Sequence, residues 1–421
     1  MSDANKVGLS FAEESSQGVP PTPLDMYSVW YTGEGFSPPT DFTDSEAVVS
    51  DLMPTSTTPT GISLEGTPAM EYSYAEQFHL FLPAAINAAG NVASWGGGTY
   101  EFKHTAAAVT VAVDAGPPIV YTITAAAADA LFAKVTTGQT IRLSGFTNEE
   151  NNGFFTVEAI NLTADPHVVT VSGDSAMIAE VGTDVTLEGS MVRNGRDATW
   201  TLNNTQRTFC FEQSYPHLSE PIWFLFKGLQ ISSMELTLAP KSLVTGSFGF
   251  TGTNYTYTTA ASPANSITES TLYPIMSAAD FRTIIHKDGS VHTVTNFGIT
   301  ISDLARAREV VGNIFNDSTG LNTIPPELNV KEYWSLRSSF LSSYDVQTGK
   351  TTPRAYKAQF GDTDGRTFIF TFPNVVLTGV APPPGAKNAD LEIEGTGKVY
   401  PITDPVSGQK YHVQIERFGP A

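Results

Sequence analysis

The sequence EPIWFLFKGLQISSMELTLAPKSLVTGSFGFTG, residues 220–252, carries the clearest strand pattern in the chain. Apolar residues recur at every second position over several short runs, for example at Phe224 and Phe226. A period of two is typical of half-buried strands, whereas Pro and Gly favour turns between them. The stretch therefore predicts two or three short strands, with a turn at Pro240 and Lys241.

A second copy of this pattern occurs at residues 366–379, which read RTFIFTFPNVVLTG. They align without a gap with EPIWFLFKGLQISS at residues 220–233, so that Phe370 corresponds to Phe224 and Phe372 to Phe226. A Pro-containing turn and another alternating run follow each copy. A repeat of this size predicts a duplicated fold.

Each copy is also preceded by a segment with apolar residues at near-helical spacing. Residues 74–89, YAEQFHLFLPAAINAA, predict a short amphipathic helix that Pro83 kinks or splits. Residues 328–344, LNVKEYWSLRSSFLSSY, predict a second one. The predicted order is the same in both halves: strand, acidic or mixed loop, helix, strands, Pro turn and strand.

The two halves differ in the distance between the helix and the strand pattern, which is roughly 140 residues in the first half and roughly 30 in the second. We therefore predict an inserted small β domain, Ig-like or similar. The predicted division is a first fold over 1–104 and 196–258, the inserted domain over 105–195, and a second fold over 259–421.

The composition favours a mainly β protein, because charged residues make up only 16% of the chain and Gly and Pro are abundant. There are 23 Lys and Arg residues against 43 Asp and Glu residues, which gives a net charge of −20. Binding to nucleic acid through its phosphates needs clusters of Lys and Arg, so this balance argues against it. One further interpretation is that an acidic surface lets DNA pass without adhering.

Motifs for catalysis, cofactor binding or metal binding do not emerge from the sequence. The seven histidines are scattered, no nucleophile–base pattern is found, and the single cysteine, Cys210, excludes an intrachain disulfide. Neither a signal-peptide pattern nor an apolar run of membrane-spanning length occurs. We therefore expect a non-enzymatic protein with no cofactor and no membrane insertion, made in the cytoplasm.

Three stretches together resemble the tail tube proteins of bacteriophages with long, non-contractile tails. Residues 9–23, LSFAEESSQGVPPTP, resemble the E-x-x-x-G-x-x-P opening of that family. Residues 229–252 resemble its strand–turn–strand with a closing G-S-F-x-F-x-G, and residues 297–313, FGITISDLARAREVVGN, resemble its strand followed by a loop with Arg and V-G. The likeness covers nearly the whole chain.

The resemblance implies two tandem tail-tube folds, each a β-sandwich or partial barrel with a short helix. It also implies that sheets of neighbouring subunits join around a DNA channel. A subunit with two folds would form trimeric, pseudo-hexameric rings, and the rings would stack head to tail into a tube. The inserted domain would then decorate the exterior.

Two loops, residues 34–60 and 303–326, are the expected arms between rings. The first is acidic at 41–51 and the second carries Arg306 and Arg308, so the two could pair across subunit interfaces. The candidate contact residues are Asp41, Asp44, Glu46, Asp51, Asp303, Arg306, Arg308 and Glu309.

The partners implied by the resemblance are further copies of the chain and the tape measure, tail terminator and distal tail proteins. Phage DNA would pass through the lumen without specific binding. The expected location is the virion tail, reached from the host cytoplasm during assembly. Two alternatives stay open: a distal-tail or baseplate ring protein that does not polymerise, and a β-rich module that binds host glycans.

Overall fold

The structure is a computed structural model of the 421-residue chain. It describes residues 7–33, 35–37, 40–45, 56–86, 102–114, 119–163, 165–194, 207–280, 282–323, 326–333, 351–378, 390–404, 408 and 410–420. These residues form 33 strands and one α-helix, which confirms the prediction of a mainly β protein. None of the described helical residues forms a helix long and apolar enough to span a membrane.

The elements follow one another along the chain in four groups. The first is β1 (Gly8–Glu13), β2 (Asp25–Ser28), β3 (Phe36–Ser37), β4 (Thr40–Asp44), β5 (Thr57–Ile62), β6 (Leu64–Gly66), β7 (Ala69–Glu71) and α1 (Glu76–Ala85). The second is β8 (Phe102–Ala106), β9 (Val109–Asp114), β10 (Val120–Ala125), β11 (Thr140–Ser144), β12 (Gly153–Asn161), β13 (His167–Gly173), β14 (Glu180–Gly182) and β15 (Val185–Gly189). The third is β16 (Met191–Arg193), β17 (Phe209–Tyr215), β18 (Ile222–Leu238), β19 (Thr245–Gly252), β20 (Asn254–Thr258) and β21 (Ser266–Thr268). The fourth is β22 (Ile284–Lys287), β23 (Ser290–Val291), β24 (Asn296–Ile301), β25 (Ala305–Arg308), β26 (Ser318–Leu321), β27 (Pro326–Tyr333), β28 (Arg354–Gly361), β29 (Thr367–Thr378), β30 (Glu392–Val399), β31 (Ile402–Thr403), β32 (Lys410–Tyr411) and β33 (Gln414–Phe418).

Residues 220–252, predicted as two or three short strands, form two strands, the long strand β18 and β19, with the predicted turn at Pro240 and Lys241 between them. The strand β18 bends in the middle, so that its first part pairs with β17 and β20 and its last part pairs with β19 and β24. Gly228 lies at the bend with a φ of 66°. A Cβ on this residue would lie 2.1 Å from Oγ1 of Thr253, so only glycine fits both the conformation and the close approach.

The strand β29 has neighbours in the same arrangement as those of β18. A hairpin joins β28 to β29 as one joins β17 to β18, and β30 and β33 pair with β29 as β19 and β20 pair with β18. The two arrangements differ in one neighbouring strand. The last part of β18 also pairs with β24, from Met234 opposite Ile301 to Leu238 opposite Phe297.

The main hydrophobic core lies between these sheets and α1. The predicted helix is confirmed as one continuous helix that contains Pro83, so the proline does not split it. Its buried face includes Phe78, Phe81 and Leu82, and the Phe81 ring centroid lies 5.4 Å from that of Phe250 on β19.

A separate eight-stranded sheet is built from β8 to β15, in the order β14-β9-β10-β13-β12-β11-β15-β8. It encloses its own core, which includes Ile123, Ile141 and Val169. The sheet begins at Phe102, close to the predicted start of the inserted domain. The next strand, β16, leaves this sheet and pairs with β33.

The helix predicted over residues 328–344 is wrong for residues 328–333. These belong to β27, in which Leu328 and Val330 are buried on one face and pair with β30. Alternation of period two therefore prevailed over the helical spacing seen further along. Residues 334–344 lie outside the described part of the chain.

Candidate functional site

Two hairpins are not part of the large sheets and correspond to the two loops predicted as arms. The first arm is β4 with β5, and the second is β25 with β26; each forms a two-stranded sheet of its own. Every residue of β4 is exposed. The main-chain N–H of Ile62 in the first arm donates a 2.8 Å hydrogen bond to the carbonyl oxygen of Ile314 in the second.

The second arm carries a positive patch at Arg306 and Arg308. The two side chains lie on one face of β25 because they are two residues apart. A Cβ on Gly320, which is opposite Arg306, would lie 2.9 Å from Nε of Arg308 and 3.2 Å from Nε of Arg306. Both guanidinium groups thus lie over the same glycine, and within the described part of the chain neither forms an ion pair.

The other candidate contact residues are distributed around these two arms. Asp41 accepts a 3.1 Å hydrogen bond from Oγ of Ser63, and Asp44 accepts one from the Thr57 hydroxyl. Asp303 and Glu309 are exposed at the two ends of β25. Glu46 and Asp51 lie outside the described residues. The acidic and basic candidates do not pair within the described part of one chain, which leaves them available to another copy.

Both arms also expose apolar side chains. Phe42 on the first arm is 62% exposed, and in the turn of the second arm Val311 is fully exposed, with Val310 and Ile314 nearly half exposed. Exposed apolar side chains of this kind make the two arms candidate interaction surfaces.

The loop between β1 and β2 fastens the second arm to the long strand. Glu14 accepts 2.8 Å hydrogen bonds from the N–H groups of Gly18 and Gly228, and so joins the loop to the bend of β18. Burial raises the pKa of the Glu14 carboxyl despite these donors. Further along the loop, Gln17 donates to Thr319 on β26, and Thr319 donates to Gln230 on β18, each at 2.6 Å.

The eight-stranded sheet is joined to β33 and β28 through buried polar groups. The Glu416 carboxylate accepts hydrogen bonds from the main-chain N–H of Thr140 at 2.5 Å and from Nε2 of Gln414 at 2.9 Å. Lys357 donates to Thr156 at 3.1 Å, and burial lowers the pKa of this lysine. The contacts of Thr140 with Glu416 and of Thr156 with Lys357 join the eight-stranded sheet to the sheet that contains β33.

A further contact of this interface joins His286 on β22 to Asp174. Nε2 of His286 lies 2.8 Å from both carboxylate oxygens of Asp174. Among the described residues, no group of three or more His, Cys, Asp or Glu side chains is arranged to hold a metal ion.

A family model described as phage tail tube protein matches residues 4–399. The chain belongs to the phage tail tube protein family. No curated protein matches the chain.

Membership of the tail tube family confirms the resemblance found in the sequence. The matched interval contains both copies of the repeated pattern and the whole eight-stranded sheet. The protein is a structural component of a phage tail, and tail tube proteins assemble with copies of themselves. The two arms are accordingly candidate assembly surfaces.

The buried carboxylates Glu14 and Glu416 are residues of this tail tube protein that are not among the candidate contact residues predicted from the sequence. Glu14 lies in the E-x-x-x-G opening, and the contact to Gly18 explains the spacing, since the loop turns back on the carboxylate. Glu416 alternates with Ile415 along β33, a pattern that predicts a solvent-facing glutamate. Only the covering of that face by the eight-stranded sheet makes it a buried group.

The tail tube protein should lose stability between pH 5 and pH 8 because of Glu416. Burial raises the pKa of Glu416 from 4.5 to about 7, against the opposing effect of the Lys357 charge. Between these two pKa values the folded state holds a proton on Glu416 that the unfolded chain releases. The contribution of this proton to the free energy of unfolding is therefore full below pH 4.5 and is lost as the pH rises to about 7. The loss amounts to about 3 kcal/mol.

Glu416→Gln should flatten this pH dependence, because glutamine is neutral and keeps an oxygen for the Thr140 N–H. The measurement is the free energy of unfolding of both proteins in urea at pH 5 and pH 8, taken from the transition in which β33 unfolds. Glu309→Gln, at an exposed position, is the matched control and should behave like the wild type. An unchanged pH dependence in Glu416→Gln would show that the folded state does not hold this proton.

Proposed function

We propose that the protein polymerises as stacked trimeric, pseudo-hexameric rings into the phage tail tube, the conduit for DNA ejection into the host. The observation that carries the proposal is the pairing of β18 with β24. It joins the two sets of repeated strands side by side in one sheet. Three chains linked in the same way would supply six such sets and close a ring.

The repeated neighbours of β18 and β29 favour a duplicated tube fold. We propose the division into a first fold over 1–104 and 196–258, an inserted domain over 105–195 and a second fold over 259–421. The strand pair β18–β24 then lies between the two folds. On the first fold, β24 covers one edge of the sheet. We expect a second chain to join the second fold at the corresponding edge.

The charges support a conduit in which DNA moves freely. A net charge of −20 leaves little basic surface with which to neutralise phosphates. We propose that acidic side chains line the lumen and that the inserted domain lies on the exterior. A lumen lined mainly by Lys and Arg would contradict this proposal.

The stacking contacts are proposed to lie at the two arms. The second arm offers positive charge at Arg306 and Arg308 that is not paired within the described residues, and the first offers Asp41 and Asp44. Opposite charges on facing surfaces fix register and partner choice in an interface. We further propose that the tape measure, tail terminator and distal tail proteins contact the tube, and that rings assemble in the host cytoplasm.

Reversing both arginines, Arg306→Glu with Arg308→Glu, should reduce the number of tubes at least tenfold, because like charges then face each other at the arms. The measurement is negative-stain electron microscopy of the purified protein over a range of concentrations, with image averaging of the rings. Lys103→Glu with Lys134→Glu, at two exposed positions of the segment that forms the eight-stranded sheet, changes the charge equally and should leave tubes unaffected.

The outcomes separate the proposals. Tubes of the wild-type protein whose averaged ring images show threefold symmetry support the proposed trimeric ring. Normal tubes from the arginine variant would refute the proposed contact between the arms. Single rings that never stack would favour a distal-tail or baseplate ring. Monomers under all conditions would leave two alternatives, a tube protein that assembles only on an initiator complex and a glycan-binding module, and a glycan array tests the second.

A further inference from the structure

The two sets of repeated strands differ at one sheet edge. Residues 254–258 form β20, which pairs with β18 on one side and with no other strand of the described chain on the other. The corresponding strand, β33, pairs with β29 on one side and with β16 on the other, from Met191 opposite Glu416 to Arg193 opposite Gln414. An edge that is open in the first set is therefore covered in the second.

The covering strand β16 directly follows the eight-stranded sheet, and this sheet also grips the main chain beyond β33. Nη1 of Arg142 donates to the carbonyl oxygens of Gly419 at 2.8 Å and Gly365 at 3.3 Å. Nη2 donates to the carbonyl oxygen of Pro420 at 3.0 Å. These contacts recognise the main chain and use the planar fork of the guanidinium group.

Glu188 completes this grip from the neighbouring strand. Its Oε1 accepts a 3.0 Å hydrogen bond from the N–H of Gly419, and its other oxygen forms an ion pair with Arg142. Arg142 and Glu188 are opposite each other on β11 and β15. Together they therefore present a donor and an acceptor to the same residue, as a neighbouring strand would.

Side chains of β33 add to the contact. Phe418 packs against Phe154 with ring centroids 4.9 Å apart, and Nε2 of Gln414 donates to the carbonyl oxygen of Gly138 at 2.9 Å. With Glu416, every second residue of β33 thus faces the eight-stranded sheet. The opposite face of the strand, at Ile415, belongs to the main core.

We propose that the inserted domain is an intramolecular clamp: Arg142, Glu188 and β16 hold β33 and residues 419–420 and close that sheet edge. An unpaired edge is a template for strand addition by another chain. Within the assembly proposed above, on which this second step rests, the clamp covers on the second fold the sheet edge that β20 leaves open on the first fold among the described residues. The two folds of one chain then cannot exchange places in a ring.

The clamp is tested by amide hydrogen exchange on the unassembled protein, so the result does not depend on tube formation. Arg142→Ala removes charged hydrogen bonds, and the exchange of the Glu416 to Gly419 amides should accelerate by roughly 10- to 100-fold. Amides of β20 in the same chain should be unchanged. Lys103→Ala removes a 61% exposed charge 3.8 Å from the same Glu188 and should leave all of these rates unchanged.

Arg142→Lys is the second variant, for the case that the alanine variant does not fold. Lysine keeps the charge but not the fork, so an acceleration confined to residues 416–419 again supports the clamp. Unchanged rates, or equal acceleration at β20 and β33, would overturn it. Failure of the wild type to form tubes would reject the proposed function and leave this result intact.

Discussion

Phe81→Ala should lower the free energy of unfolding by about 4 kcal/mol, the largest effect that we expect from a single substitution in the core. The Phe81 side chain is fully buried at the centre of α1. Its ring centroid lies 4.8 Å from that of Phe11, 5.3 Å from Phe209 and 5.5 Å from Phe248. These rings come from three different strands, so the cavity cannot close by the movement of one of them.

The measurement for Phe81→Ala is urea unfolding followed by tryptophan fluorescence, together with the melting temperature. Alanine favours helix, so lost helix propensity does not contribute. Leu80→Ala, on the partly exposed side of the same helix, is the control and should cost only about 1 kcal/mol. A loss below that of the control would show that α1 does not anchor the core.

Asp404→Ala should cost about 3–5 kcal/mol, because it leaves a buried positive charge without its partner. Arg193 and Asp404 form a 2.6 Å ion pair in which each side chain is 2% exposed. Nε of Arg193 also donates to Gln414 at 2.7 Å, and its guanidinium group lies 4.2 Å from the centroid of the Tyr411 ring. These contacts do not supply the missing negative charge.

The Asp404 prediction is checked by the same unfolding experiment with two comparison variants. Asp364→Ala breaks an Arg–Asp pair of 2.5 Å in which Asp364 is 50% exposed, and should cost at most about 1 kcal/mol. Arg193→Met with Asp404→Leu removes both charges and should recover most of the loss. If the double variant is as unstable as Asp404→Ala, packing and not the unpaired charge explains the cost.

The predicted features that were confirmed are those with a strong local pattern. The alternation around Phe224 and Phe370 gave the two long central strands, and the helical spacing of Phe78 and Phe81 gave α1 with its buried face. The turn at Lys241 was confirmed, with a φ of 58°. In each case neighbouring residues alone carry the signal, because side-chain direction follows the backbone period.

The candidate site was only partly accessible from the sequence. The predicted arms correspond to the hairpins β4–β5 and β25–β26, and the placement of Arg306 and Arg308 on one face follows from their spacing. Whether they contact Asp41 and Asp44 of another copy stays a prediction. The helix predicted at residues 328–333 failed because β24 and β30 pair with this segment from both sides, a long-range contact that outweighs local spacing.

The sequence by itself determined a mainly β chain with a repeated strand pattern, an acidic charge and a tail tube family opening. Tertiary structure alone decided that β18 bends from one sheet into another, that β24 joins the two sets of strands, and that Glu416 and Arg193 are buried. These features depend on contacts between residues that are far apart in the sequence. A polar side chain is buried when another element of the fold covers it. The pattern of neighbouring residues in the sequence does not show which element that is.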